Sequence, residues 1–354
     1  MSSPASLSSS PYLPDPESLG ELLAGHPGYR AKQLLAWLYR TPVLDAGQMS
    51  NLPAEIRTRW ADGLYPFSVE IEQSADRGRT RKWLFRTPDG KSIEAVLMGY
   101  PRRTTLCISS QAGCAMACTF CATGQFGFER HLEAGEIAAQ VAFANAQLRA
   151  RPMEGSPSRV TNVVFMGMGE PLANYPRVRE SLRRMIEVMG IGARSFTVST
   201  VGVVPGMRRL AEDPWQVNLA VSLHAADDDL RSTLVPLNDR YPLADVIAAA
   251  RNYTERKGRR VSIEWTLISG SNDSDDQAVK LATIARNLAA HVNVIALNPT
   301  PLTADRPPNP ARIDGFMKAL IDAGANATLR DTRGQDIDAA CGQLRIRSVT
   351  EQAG

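Results

Sequence analysis

Cysteine is scarce in this chain: five in 354 residues, too few for a disulfide scaffold and odd in number. Such sparing use points toward metal binding or catalysis. Long apolar runs are absent, and no stretch approaches the roughly 18 residues of a membrane-spanning helix, so no membrane partner is expected. Residues 1–10 are small and polar, with no basic segment ahead of an apolar one. No secretory signal is read there, and a cytoplasmic protein is expected. Charge of one sign is lacking too. The net charge is only +3, so whole-chain charge names no partner and local charge must be read instead. Aromatics make up 6% against 44% hydrophobic residues overall, which suits a soluble globular enzyme with a sizeable core. The length fits one large domain or two smaller ones, and no internal repeat is visible.

Residues 1–18 are rich in Ser and Pro and are expected to form a disordered tail. Over 19–65 the pattern is helical. Leu34, Trp37 and Leu38 share a face at spacings of three and four, Pro42 stops that helix, and Asn51 is the expected cap of another. This predicts a small N-terminal helical module. Residues 66–103 turn to alternation, with a turn at Pro88-Asp89-Gly90 and a strand over 92–98, predicting a short, basic antiparallel sheet. From 104 to 344 strands and helices alternate, and 345–354 form a C-terminal tail. The expected strands are 104–110, 162–166, 196–199, 217–223, 261–267 and 292–297; the expected helices are 133–147, 176–189, 207–211, 243–257, 275–288 and 311–323. Six β–α units imply parallel strands joined by right-handed crossovers. Six are too few to close an eight-fold barrel. The expected fold class is α/β, a partial (β/α)6 barrel, with its chemistry at the C-terminal strand ends.

The first of those strands runs straight into Gln111-Ala112-Gly113-Cys114, followed by Cys118 and Cys121, with Phe120 just before the last cysteine. Three thiolates at C-x3-C-x2-C can hold three irons of a [4Fe–4S] cluster and leave the fourth without a protein ligand, whereas clusters that only carry electrons usually have four. An open iron is a place for a substrate or cofactor. Zinc is the competing reading; it wants four ligands, and Cys107 or His131 would supply the fourth. The second strand ends in Gly167-Met168-Gly169-Glu170-Pro171, whose glycines let the backbone approach a ligand closely. Ser199 ends the third strand, Ser222-Leu223-His224 the fourth and Asn298 the sixth. Singly, each is as readily an ordinary strand-end cap.

The cysteine spacing and Phe120 resemble the radical S-adenosylmethionine (SAM) superfamily, and residues 167–171 resemble its Gly-Gly-Glu-Pro element. The resemblance implies a barrel of the radical SAM type and a [4Fe–4S] cluster on Cys114, Cys118 and Cys121, its open iron chelated by SAM. It implies that Glu170 accepts from the SAM amino group. Gly169, Ser199, Ser222, Leu223, His224 and Asn298 then become candidates for its other contacts.

Two cysteines remain. Cys107 lies on the first barrel strand, opposite in sense to Leu106 and Ile108. Cys341 lies in the polar, Gly-punctuated stretch 332–344, flanked by Arg330, Arg333, Arg345 and Arg347. Both fit small buried apolar residues; the arginines around Cys341 would also favour a thiolate. Here the likeness narrows. Residues 165–171, Ser199 to Pro205, Ser222 to Ala225 and above all Thr332-Arg333-Gly334 with Asp338 to Gln343 resemble the RlmN family, radical SAM enzymes that methylate carbon 2 of adenosine in 23S rRNA and in tRNA beside the anticodon. The likeness runs over about 19–344, with small differences such as Ala117 and Leu297. It implies that Cys341 takes a methyl from one SAM and that a second SAM gives a 5′-deoxyadenosyl radical. That radical removes a hydrogen from the methyl, and the resulting methylene radical adds to carbon 2. It implies that Glu94 then takes the carbon-2 proton, and that Cys107 releases the product through a transient disulfide with Cys341. On its own pattern Glu94 is a solvent-facing strand carboxylate. An electron donor such as flavodoxin or ferredoxin, and a monomeric protein, are also expected.

Residues 77–103 carry Arg77, Arg79, Arg81, Lys82, Arg86, Lys91, Arg102 and Arg103, with Trp83, Phe85 and Tyr100 interleaved. Such a run is either a solvated face or a surface for phosphate contact and base stacking; the resemblance favours RNA. Three rival activities remain open: adenosine methylation at carbon 8, a radical SAM protein-activating enzyme, and a zinc-binding RNA module.

Overall fold

The structure, a computed structural model, describes residues 10–300, 303–330, Ile337 and Gln343. Cys341 and the expected tail 345–354 lie outside the described residues. Two compact units are built from interleaved stretches of chain. The first takes residues up to 108, 131–163 and 176–192; the second takes 109–130, 164–175 and the chain from 193 onward. The expected linear division, with its barrel starting at 104, does not coincide with these units.

In the first unit β1 (Ser68–Ala75), β2 (Thr80–Arg86), β3 (Ser92–Tyr100) and β4 (Arg103–Cys107) form an antiparallel meander. Pairing of Trp83 with Ala95, Phe85 with Ile93 and Leu97 with Leu106 puts an apolar row on one face. Phe143, from the helix Ala134–Ala150, meets Trp83 and Phe85 edge-on at 5.3 and 5.2 Å. Such pairs add about 1 kcal/mol each beyond the area they bury. The other face of β2 and β3 is buried as well, so burial does not alternate as the sequence pattern suggests.

Three expectations are corrected here. Trp83 and Phe85 are fully buried and offer no stacking platform, while Lys82 and Arg81 are buried as well. Arg77, Arg79, Arg102 and Arg103 stay exposed, and the Arg103 guanidinium lies over the Tyr100 ring at 4.3 Å. The expected tail is in place from residue 10. Tyr12 is fully buried, donates to the Leu38 carbonyl at 2.8 Å and stacks on Tyr65. Its own carbonyl accepts from Arg184, and a Cβ at Gly135 would lie 2.1 Å from that oxygen. One buried tyrosine and an arginine clamp outweigh a Ser/Pro-rich composition. Leu34 and Leu38 are fully buried, but Asn51 caps nothing. The helix Ala54–Arg59 starts after Pro53, and Asn51 accepts from the Trp37 indole instead.

In the second unit β5 (Gln111–Gly113) and β6 (Phe128–His131) make a short ribbon. β7 (Asn162–Phe165) carries the chain from the first unit into the second. β8 (Phe196–Thr200), β9 (Asn218–Ser222), β10 (Ser262–Leu267), β11 (His291–Ala296) and β12 (Asn326–Leu329) pair in parallel, each with its neighbour. Helices Val204–Glu212, Leu243–Lys257, Asp275–Asn287 and Pro310–Asp322 fill the crossovers, as parallel connections require. The expected first barrel strand is β4, whose partner β3 runs antiparallel to it. β12 is an addition, four residues long and with a single large apolar side chain. Among the described residues no helix is long and apolar enough to cross a membrane.

Candidate active site

The cysteine loop begins where β5 ends. Gly113 has φ +72°, and a Cβ there would lie 2.0 Å from the Gly127 carbonyl oxygen, which accepts from Cys114 N at 2.8 Å. Only glycine allows that closure. Ala117 sits at φ +52°, a local strain between two of the cysteines. Cys121 N then donates to Cys118 O, Thr119 N to Leu234 O, and Gln125 N to Cys121 O. These bonds fold the loop so that Cys114, Cys118 and Cys121 line one cavity at the ends of β7 to β11. The strand-end expectation therefore holds for this loop.

The opposing wall is residues 166–171. Met168 N donates to Ser109 Oγ, Ser110 N to Met168 O, and Glu170 N to Gln111 Oε1. Gly169, at φ +98°, passes so close that a Cβ would meet Gln111 Cβ at 2.5 Å. Glu170 is buried and accepts from Leu172 N and Val201 N, both at 3.0 Å. Burial pushes its carboxyl up to about 7, against the downward pull of those N–H groups. Each oxygen is thus already engaged in tying two strand-end loops together, with a second lone pair still available.

Ser199 and Ser222, from β8 and β9, bring their hydroxyls within 3.3 Å of each other. His224 has φ +61°, packs edge-on against Phe120, and accepts from Thr266 N through Nδ1 at 2.9 Å. Burial, with the Arg231 charge, pushes its pKa down to about 3. The ring is neutral, so Nε2 carries the proton and is a donor. Of the expected residues, Gly169, Glu170, Ser199, Ser222 and His224 line the cavity with the three cysteines. Leu223 and Asn298 are buried outside the lining. Gln343, in the C-terminal motif, donates to the Pro299 carbonyl at 2.9 Å.

Two residues escaped the sequence reading. Glu264 lines the cavity, held by Asn293 and Ser262, and burial raises its pKa; the available signal was an acid on the strand 261–267 between Ser262 and Thr266. Arg231 is fully buried and donates to the carbonyls of Leu223 and Val201 and to Asn238 Oδ1, joining the β8 and β9 loops. Its helix, Asp228–Leu234, gave no signal.

The donor set suits an iron–sulfur group. Burial and then mutual repulsion raise the thiols: Cys118 is raised by Cys121 and Cys114, and Cys114 reaches about 12. Bound positive metal would relieve that repulsion.

Comparison with known proteins agrees with this geometry. The radical SAM superfamily matches residues 108–282. A protein of Chloroflexus aurantiacus named a dual-specificity RNA methyltransferase, RlmN, is 49% identical over 342 residues, covering 93% of this chain and 90% of its own length. One of the same name from Mycolicibacterium smegmatis is 49% identical over 335 residues, covering 90% of each. The crystal structure of a radical SAM methyltransferase from Sphaerobacter thermophilus superposes with a TM-score of 0.89 at 48% identity, covering 96% of this chain and 99% of that one.

Proposed function

This chain belongs to the RlmN family of radical SAM RNA methyltransferases, and from that premise we infer that it methylates carbon 2 of adenosine in 23S rRNA and in tRNA beside the anticodon. The observation that carries this reading is the single cavity lined by three thiols, one buried and two half-buried, together with Gly169, Glu170, Ser199, Ser222 and His224. Cys114, Cys118 and Cys121 would hold the [4Fe–4S] cluster, and the remaining residues would hold SAM. When bound, that pair supplies one-electron cleavage of SAM to a carbon-centred radical, the reactivity that an electron-poor ring carbon demands.

The chain's own side chains do the rest. The Cys341 thiolate accepts the methyl by ordinary displacement and carries it to the base. Glu94 receives the proton that leaves carbon 2. It is 3% exposed on β3, which fits a base better than a solvent-facing carboxylate. Cys107, also buried, attacks the Cys341 sulfur, forms the disulfide and frees the methylated RNA. External thiols then reset the pair. Inside the cavity His224 Nε2–H donates and the Ser199–Ser222 hydroxyls can donate or accept, while Phe165, Met166, Ile295 and Leu297 limit water. The target base must leave its stack, which favours loop adenosines. A flavodoxin or ferredoxin supplies the electron, and the protein works as a cytoplasmic monomer.

The test is to incubate cluster-loaded protein with methyl-labelled SAM and either RNA, then digest to nucleosides. Label is expected in 2-methyladenosine and on Cys341, and Cys341→Ala should make no product. Label in 8-methyladenosine, or product from Cys341→Ala, would overturn the reading.

A further inference from the structure

The meander of the first unit adds a third side chain to the two catalytic candidates it carries. Its register pairs Lys82 with Val96, Leu84 with Glu94, and Val96 with Cys107. Directly opposed residues in an antiparallel ladder share a face, as do residues two apart on a strand. Lys82, Val96 and Cys107 therefore form one row across three strands, with Glu94 next to it. Lys82 Nζ lies 3.2 Å from Glu94 Oε2, and each side chain is only 4% exposed.

Lysine is rarely found this deep in a protein unless it is paired. The opposite face of β2 shows what a structural cation does here: Arg81 donates to the Arg151 backbone carbonyl at 2.8 Å. Lys82 instead meets a carboxylate, on the face that also holds Cys107. A buried ion pair is a poor device for stability, since apolar residues of similar volume serve as well or better. It is a good device for keeping a carboxylate buried, charged and fixed in direction.

We propose that Lys82 is a positioning residue that holds Glu94 ready to accept the carbon-2 proton. The inference rests on the reading of Glu94 as the base. In this role the proton passes from carbon 2 to Glu94, and Lys82 acts through Glu94.

The test uses full-length, cluster-loaded protein and RNA carrying hydrogen or deuterium at carbon 2 of the target adenosine. Lys82→Met should load the methyl onto Cys341 as the wild type does, yet transfer it to RNA about tenfold or more slowly. Its isotope effect should be enlarged, and Lys82→Arg should recover part of the rate. Wild-type transfer and isotope effect in Lys82→Met, with Glu94→Gln inactive, would overturn the role of Lys82 alone. An active Glu94→Gln would overturn the base reading beneath it. Should Lys82→Met fold poorly, Lys82→Met/Glu94→Gln removes both charges and decides the matter. Its residual transfer should equal that of Glu94→Gln, and a further drop would show that Lys82 acts independently of Glu94.

Discussion

His224 shows how a side chain's chemistry is set by its neighbours. In the sequence it was a strand-end residue, as readily an ordinary cap as a contact for SAM. In the fold, Thr266 N–H occupies Nδ1, and burial with the Arg231 charge drives the pKa to about 3. It should therefore act as a neutral donor across the physiological range. The expected result is that the His224 ring resonances in an NMR titration stay flat from about pH 5 to 8; movement in that window would mean the imidazole charges. The cysteines needed no such context. Their spacing was legible because three residues of one loop are brought to one cavity by local geometry. Glu264 and Arg231 were not, because what they touch comes from other strands and loops.

The N-terminal segment is the clearest case of an element decided by distant partners. Tyr12 fills a site between Leu38, Tyr65 and Gly135, and Arg184 holds the backbone of residues 12–14. Truncation to Tyr12→Ala should cost about 3 kcal/mol or more, as for other large buried side chains. It should lower Tm by several degrees in calorimetry. Beside it, Glu180 bonds Arg183 and Arg184, which in turn grip Glu17 and Asp15. Partial burial pulls the Glu180 carboxyl upward, but the two guanidinium groups outweigh it and hold it at about 2, below its ordinary 4.5. A depressed carboxylate pKa gives stability that is present above pH 4.5 and lost as pH falls toward 2. Thermal melts of the wild type and Glu180→Gln should thus differ near neutrality and draw together as pH falls to about 2 and below; a gap independent of pH would refute the ionic account.

Across the whole chain, the net charge of +3 hides a local imbalance. Arg77, Arg79, Arg102 and Arg103 remain exposed, while Arg81 and Lys82 are buried and Arg86 is engaged with Glu70. If the exposed four meet RNA phosphates, affinity should fall with salt, and each Arg→Ala change should reduce the log–log slope by about 0.7–1. Unchanged slopes in filter binding would place the RNA elsewhere. The sequence alone determined the alternation of strands and helices from 104 onward and the spacing of the three cysteines that line the cavity. Periodicity, turn residues and ligand spacing are all written within a few consecutive positions. Only the tertiary structure decided that Trp83 and Phe85 are core, that Tyr12 is anchored, and that Lys82, Glu94 and Cys107 share one buried face. Those outcomes depend on strand register and on side chains far apart in the chain meeting in space, and no local pattern encodes them.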